Sequence, residues 1–342
     1  MTQRGSPINS RSAQAKTNEC WAVTNGKAGN ERQALALATC LPWPVRSLVV
    51  TPRAPWSWWA PRHAPGAHLA WPAGTLAPPW PRLVIGCGRE AALFTRLVRQ
   101  LSDRTCPSVQ ILNPRIDPRH WDLVIAPRHD QLQGANVLNP LGSLNPVDDA
   151  WLADGRSAWT HLDALPAPRL GVLLGGPRHG VTTDPAYPAT LAAAILARHQ
   201  HDGGSVMLLA SRRTPAAWMN VLCSALGEIP GMRWRDDDDG VNPYPGVLGW
   251  ADRLVVTGDS VNMLSEACAC GCPVHTLTPT AATGKIAHFH TALRARGLLH
   301  DIDADTAAHQ PPLRETRAMA DAMCERLGLD MESPRQAAVS NT

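Results

Sequence analysis

Between Ala251 and Val274 the chain reads ADRLVVTGDSVNMLSEACACGCPV. A short apolar run, Arg253 to Thr257, ends in Gly258, Asp259 and Ser260. A helical pattern follows, carrying Asn262 and one acid, Glu266, before Gly271 and Pro273 close it. A helix that starts where a strand stops offers unpaired N–H groups and the positive end of its dipole, which together favour an anion. An acid one and a half turns further on reaches toward a ribose diol. The chemistry expected of this layout is the holding of a nucleotide diphosphate. Read without a ligand, the same residues are a helix capped by Asp259 with Glu266 facing solvent.

Other strand-end turns repeat the theme. Gly175-Gly176-Pro177-Arg178 allows a close approach of backbone to phosphate and adds a guanidinium for a two-pronged contact. Ser211-Arg212-Arg213 sits at a second strand end. Two arginines there would neutralise a departing diphosphate without a metal, and no metal site is expected. Nearer the start, Gly26, Lys27, Gly29 and Asn30 form a turn suited to an acceptor or a sugar phosphate. Gly86-x-Gly88 fits a dinucleotide fingerprint in form, but it follows the third strand, and no acid ends the next strand to take a ribose hydroxyl; Arg89 beside it is assigned to the acceptor side. His129 and Asp130, after another strand, are the candidate general base, because an imidazole titrates near neutrality and a carboxylate can orient it. Cys268, Cys270 and Cys272 have the wrong spacing for a zinc knuckle and read as helix packing. The acidic run Asp236 to Asp239 reads as a solvated loop.

The elements that must position these turns alternate. Apolar runs at 20–24, 46–50, 83–85, 108–112, 121–126 and 135–138 are separated by helical stretches at 31–39 and 90–102. After a helix from Asp148 and the Pro-bearing linker Leu165 to Pro168, the pattern restarts. Strands are predicted at 170–174, 205–210 and 253–257, and helices at 187–199, 286–296 and 313–327. Thr214 is predicted to cap a further helix with Pro215 in its first position. Alternation of this kind predicts parallel β-α-β units. The expected architecture is α/β: two Rossmann-like domains facing a cleft, with ligands outside the carboxyl ends of the strands. The divisions are a disordered tail over 1–18, an acceptor domain over 19–165, a nucleotide-sugar domain over 166–308, and a last helix within 309–331 returning to the first domain.

Composition narrows the function classes. A chain of 342 residues exceeds one ordinary core. A net charge of +3 does not call for nucleic acid. Nine irregularly spaced cysteines argue against a disulfide scaffold. No apolar run approaches the ~18–20 residues of a membrane span, and residues 1–18 lack the apolar centre of a secretory signal. A cytoplasmic location is expected. One region stands apart: Trp43, Trp56, Trp58, Trp59, Trp71 and Trp80 are six of thirteen tryptophans. No acid lies between Glu31 and Glu90, while Arg32, Arg46, Arg53, Arg62, Arg82 and Arg89 are basic. Tryptophan favours the headgroup zone and arginine an anionic surface, so residues 43–82 are expected to make a peripheral contact with the inner membrane.

The blocks Asn25 to Gln33, Gly86 to Arg89, Ala126 to Asp130, Asn136 to Leu138, Gly171 to Gly176, Ser211 to Pro215 and Val256 to Ala267 resemble, in order, those of the mitochondrial fission Elm ("elongated mitochondria") family. The resemblance spans about residues 20 to 300. That family in turn resembles glycosyltransferases of the GT-B fold, in which an Ala-Asp, a strand, a Gly/Ser turn, a helix Glu and Gly-x-Pro recur; here these are Ala251-Asp252, Gly258 to Ser260, Glu266 and Gly271 to Pro273. The resemblance implies that Glu266 binds the nucleotide ribose and that the preceding turn lies by the diphosphate. It further implies a metal-independent glycosyltransferase-like protein with no tightly bound cofactor, taking a nucleotide sugar as substrate and an envelope or lipid-linked acceptor. Two rival readings stand beside it: a non-catalytic membrane-associated scaffold on the same fold, and an NAD(P)-dependent nucleotide-sugar epimerase or reductase. The sequence departs from the family at Ala28 and Asn30, around Lys285 to His290, and in the Pro/Trp-rich segment 51–82.

Overall fold

A computed structural model describes residues 16–62, 64–178, 181, 184–277 and 282–331. The chain divides into two compact units, residues 1–124 with 324–342, and residues 125–323. Of the tail expected over 1–18, residues 1–15 lie outside the described residues. Lys16 is not loose: it bridges to Trp80, and its ammonium donates to the Thr105 carbonyl.

The first sheet is built from β1 (Cys20–Thr24), β2 (Val45–Val49), β3 (Leu83–Cys87), β4 (Ser108–Ile111), β5 (Leu123–Ile125) and β6 (Val137–Leu138), with helices α1 (Ala28–Thr39), α2 (Trp56–Trp59) and α3 (Arg89–Leu101) between them. Strand order is β2-β1-β3-β4-β5-β6. The β1–β2, β1–β3 and β3–β4 ladders are parallel. Crossover helices cover a parallel sheet on its faces, so inner strands carry apolar residues continuously. β1, β3 and β4 are accordingly buried at every position, while β2, at the edge, exposes Arg46, Ser47 and Val49. One cluster of Trp21, Val23, Trp71, Trp80, Val84, Leu93, Phe94 and Leu97 fills this unit's core.

After α4 (Asp149–Ala158) come β7 (Arg169–Leu173), α5 (Tyr187–Asp202), β8 (Ser205–Leu209), α6 (Ala216–Ala225), β9 (Gly231–Trp234), α7 (Tyr244–Trp250), β10 (Arg253–Val256), α8 (Val261–Cys268), β11 (Val274–Thr276), α9 (Gly284–Arg294), β12 (His300–Asp301) and α10 (Thr316–Leu327). The second sheet runs β12-β11-β10-β7-β8-β9, and its ladders are parallel. Two apolar clusters, one holding Leu173, Met207, Val247, Leu264 and Phe289, the other Val172, Leu191, Ile195, Val206 and Leu222, sandwich it. The molecule is therefore α/β with two Rossmann-like sheets.

Strand order reverses once in each sheet, between β1 and β3 and between β7 and β10. At such a reversal the connections leave in opposite directions and open a crevice outside the strand carboxyl ends. Gly26 and Gly88 follow β1 and β3. Gly175 and Gly258 follow β7 and β10. Three strands escape the sequence pattern: β9, β11 and β12 are edge or near-edge strands of two to four residues, too short to show a period. Thr214 is not a cap, correcting that expectation. Pro215 precedes α6, and the Thr214 hydroxyl instead donates to the Leu174 and Gly175 carbonyls at 2.8 and 2.6 Å.

Candidate functional site

In the second unit, the ends of β7, β8 and β10 are tied by one carboxylate. Asp259 is 3% exposed. Its carboxylate accepts from Gly176 N–H at 3.1 Å and from the Thr257 hydroxyl at 2.7 Å, and pairs with Arg213 at 2.7 Å. Thr257 Oγ1 in turn accepts from Gly175 N–H at 2.6 Å. The glycines are required by this closeness: a Cβ on Gly175 would lie 2.1 Å from Asp259 Oδ1, and one on Gly176 2.0 Å from the Arg213 carbonyl. Asp259 is thus a buried clasp and not the helix cap. Ser260 is the cap of α8, its Oγ accepting from Met263 N–H at 3.4 Å.

Arg213 is committed to Asp259, whereas Arg212 makes no ion pair among the described residues. Arg178 is exposed and reaches the Asp259 carbonyl at 3.4 Å. Ser211 supports the turn: its N–H donates to Thr214 Oγ1 at 2.8 Å. Gly258 packs against His290, whose ring carbon would lie 2.9 Å from an added Cβ. Asn262 lies in the first turn of α8. Glu266 is 3% exposed and accepts a short hydrogen bond from the Tyr244 hydroxyl; it is not a solvated helix residue. Tyr244 could not be found from the motif, because α7 lies 22 residues upstream.

His129 and Asp130 occur in a 3₁₀ turn after β5. His129 is buried against Phe289, ring centroids 5.2 Å apart, and its Nδ1 has no hydrogen-bond partner among the described residues. Burial holds its pKa below the ordinary range. Asp130 opposes that shift, and Lys285, Arg178 and His288 reinforce it. Lys285 pairs with Asp130 at 2.5 Å, and Gln131 Nε2 lies 3.4 Å from His288 Nδ1. α9 thus brings Lys285 and His288 to the turn, two groups that sequence reasoning did not select. Their signal was the departure from the family pattern around Lys285 to His290, together with a basic residue in the first turn of a helix. Burial likewise depresses His290.

In the first unit, the reversal-point turns are linked by side chains. Asn30 Nδ2 donates to Asn25 Oδ1, and Asn25 Nδ2 to Glu90, both at 2.9 Å. Gly26 has φ +75° and donates to Thr24 Oγ1. Exposed Lys27 precedes α1, and the Gly29 carbonyl accepts from Gln33. Gly88 has φ +101°, and a Cβ there would lie 2.6 Å from Asn30 Nδ2; at Gly86 it would lie 2.8 Å from Thr95. The approach that these glycines permit is taken by the protein's own side chains, which leaves the dinucleotide reading without support from its fingerprint. Arg89 donates to the Ser57 carbonyl at 2.9 Å.

The tryptophan segment is corrected in part. Trp43, Trp71 and Trp80 are core residues, and Trp56 packs on the core with its N–H on the Pro65 carbonyl. Trp58 and Trp59 are 71% and 55% exposed, near exposed Leu69 in sequence. No helix among the described residues is long and apolar enough to cross a membrane. Among the described residues no three His, Cys, Asp or Glu side chains are grouped to hold a metal ion. Cys268 and Cys272 are buried, and burial pushes the Cys272 thiol up to about 12.

A family model described as mitochondrial fission ELM1 matches residues 28–327. Mitochondrial fission protein ELM1 of Arabidopsis thaliana is 32% identical over 272 residues, 70% of this chain; the chain spans 62% of that relative's length. Among solved structures, UDP-GlcNAc 2-epimerase from Methanocaldococcus jannaschii aligns with a TM-score of 0.52 at 11% identity, covering 91% of this chain and 99% of that one. The same epimerase in complex with UDP-GlcNAc and UDP aligns at 0.51 and 10% identity, with the same coverage. MurG of Acinetobacter baumannii aligns at 0.47 and 12% identity over 93% of this chain and 91% of that one. The likeness to the epimerase shows a shared GT-B-like fold.

Proposed function

The chain belongs to the mitochondrial fission ELM1 family, and on that premise we propose that it is a GT-B-type, glycosyltransferase-like protein that holds a nucleotide sugar on its second unit. The observation that carries this is the meeting of Gly175-Gly176, Arg178 and the Ser260-capped start of α8 at the strand-order reversal between β7 and β10. An anion there meets a helix amino end and guanidinium groups. In the proposed reaction an acceptor hydroxyl gives its proton to His129, kept neutral by burial. The acceptor oxygen bonds the anomeric carbon, and the bond to the diphosphate breaks with its electron pair leaving on phosphate, stabilised by Arg178 and Arg212. Glu266 takes the ribose by exchanging its Tyr244 partner. The acceptor is proposed to be envelope-derived or lipid-linked. Trp58 and Trp59 make the peripheral contact with the inner membrane from the cytoplasmic side.

Thermal-shift measurements against UDP-, GDP-, ADP- and CMP-sugars, beside NAD and NADP, test the reading. UDP-sugars are the first choice because the epimerase of the same fold is described with UDP-GlcNAc and UDP. A ligand at a hundredfold excess over its Kd adds about 2.7 kcal/mol. The expected result is selective stabilisation by one nucleotide-sugar class, lost in Glu266→Gln and in Arg178→Ala. Stabilisation by none of them overturns it.

One observation favours a second reading. The Asp259 carboxylate already satisfies Gly176 N–H and Arg213, and Tyr244 already satisfies Glu266. A scaffold that had lost turnover would keep such a self-paired turn. That reading requires no product from any nucleotide sugar.

A further inference from the structure

At the other end of the first unit, away from the strand carboxyl ends, lies a cavity of about 460 Å³ lined by Arg96, Arg99, Gln100, Asp103, Arg104 and His120. α3 begins at the carboxyl end of β3, so its last turn, with Arg99 and Gln100, lies by the amino ends of β4 and β5. Asp122, just before β5, fixes that position by accepting from Ser108 N–H at 2.8 Å and from Arg99 Nε at 3.0 Å. The volume is within the ~300–1,000 Å³ usual for small-molecule sites.

Among the described residues, the arginines of this cavity outnumber the carboxylates that meet them. Arg96 is half-buried; it donates to the Pro61 carbonyl at 2.5 Å and stands 5.8 Å from the Trp121 ring centroid. It makes no ion pair among the described residues, and desolvation lowers its pKa. Arg104 is exposed and also unpaired among them. Only Asp103 brings a carboxylate to the lining, and Arg99 is matched by Asp122 outside it. The usual reason for arginines at a helix carboxyl end is to serve its free carbonyls. Here Ser102, Asp103 and Arg104 N–H groups already donate to Val98, Gln100 and Arg99 carbonyls. A half-buried, unmatched guanidinium costs desolvation that an arriving anion offsets.

We propose that this cavity is a second ligand site, one that binds a phosphate or diphosphate group between Arg96 and Arg104 with Gln100 and His120 as further donors. Two arginines lining one polar cavity suit a tetrahedral oxyanion with several acceptor oxygens. The proposal is independent of the nucleotide site on the second unit.

His120 supplies the readout. Desolvation depresses its pKa, Arg96, Arg99 and Arg119 add to that, and Asp117 opposes it; an anion beside it favours the charged ring and moves the titration upward. The ring C–H resonance of His120, assigned with His120→Gln, is followed by NMR in the full chain through pH titrations with and without inorganic pyrophosphate, and separately with phosphatidylcholine vesicles containing phosphatidylglycerol. An upward move with pyrophosphate identifies a soluble phosphate ligand. A move with vesicles alone identifies a lipid headgroup. Either is expected to weaken at least tenfold in apparent affinity in Arg104→Gln, whose side chain is exposed, and in Arg96→Gln. A His120 titration that stays in place with both probes overturns the proposal, as does a response that Arg104→Gln leaves unchanged.

Discussion

Replacing Asp259 by Asn separates a structural clasp from a ligand group. The carboxylate accepts from two donors in the buried turn, Gly176 N–H and the Thr257 hydroxyl, and from a third, Arg213, whose side chain is 40% exposed. Asn keeps one acceptor oxygen and turns an NH2 toward the other partner. Thr257 Oγ1 already accepts from Gly175 N–H, and its O–H needs an acceptor, so the amide oxygen faces Thr257 and the NH2 faces Gly176 N–H and Arg213. One buried charge-assisted bond is therefore lost, worth about 1.5–3 kcal/mol. The Arg213 pair, discounted for exposure, adds at most about 1 kcal/mol. A total near 3 kcal/mol, at roughly 2–4 °C per kcal/mol for 150–250 residues, lowers Tm by about 6–12 °C. Differential scanning fluorimetry and urea unfolding measure it. The variant also frees Gly176 N–H and Arg213 and removes a negative charge from the turn, so UDP should stabilise it more than it stabilises the parent. A Tm within about 2 °C of the parent would refute the clasp. A parent-like or weaker UDP response in a destabilised variant would refute the placement of diphosphate at this turn.

Three further outcomes follow from the same geometry. Burial depresses the pKa of His275 from the ordinary 6.5 to about 4; between these values the unfolded chain binds the proton and the folded chain does not, so stability is complete above pH 6.5 and falls as pH drops toward 4, by up to about 3 kcal/mol. Urea unfolding at pH 7.5 and 5 should show a shallower loss in His275→Gln than in the parent; equal slopes would exclude this source. Gly88→Ala (φ +101°, Asn30 Nδ2 at 2.6 Å) should cost about 2–3 kcal/mol, and Gly74→Ala (φ +84°, no atom within 4 Å) about 1 kcal/mol, since both meet the left-handed penalty and only one meets an atom; equal melts would remove the contact argument. Trp58→Ser with Trp59→Ser should abolish co-sedimentation with anionic vesicles and keep the fold, whereas Trp71→Ser should lose about 3–5 kcal/mol as a core truncation; a double variant that still sediments would end the membrane assignment.

The fold was readable because parallel strands buried on both faces are written as unbroken apolar runs. Cys20 to Thr24, Leu83 to Cys87 and Ser205 to Leu209 announce themselves that way, and Gly/Pro-bearing turns mark their carboxyl ends. β9, with Met232 and Arg233 only partly buried, carries no such run. β11 and β12 are shorter than any period that could be counted. Thr214 failed as a cap for a different reason: its hydroxyl has two backbone carbonyls to serve across the β7 turn, and tertiary contact outweighs a local preference.

The site was legible as a location but not as a set of free groups. Spacing alone put Gly175, Gly258 and Ser260 at strand ends, and the strand-order reversal gathers them. Whether a polar group there is available depends on partners remote in sequence: Arg213 for Asp259, Tyr244 for Glu266, Lys285 for Asp130, Ser57 for Arg89. Each of these pairs costs something to open, and a ligand must supply that energy along with its own binding. A nucleotide sugar that contacts Arg178 and the α8 amino end but leaves Asp259 clasped needs to supply the least. Family membership brings the fold; on the proposed reading, the energy of opening these pairs sets how tightly a nucleotide sugar is held. That energy is what the paired UDP responses of the parent and Asp259→Asn measure.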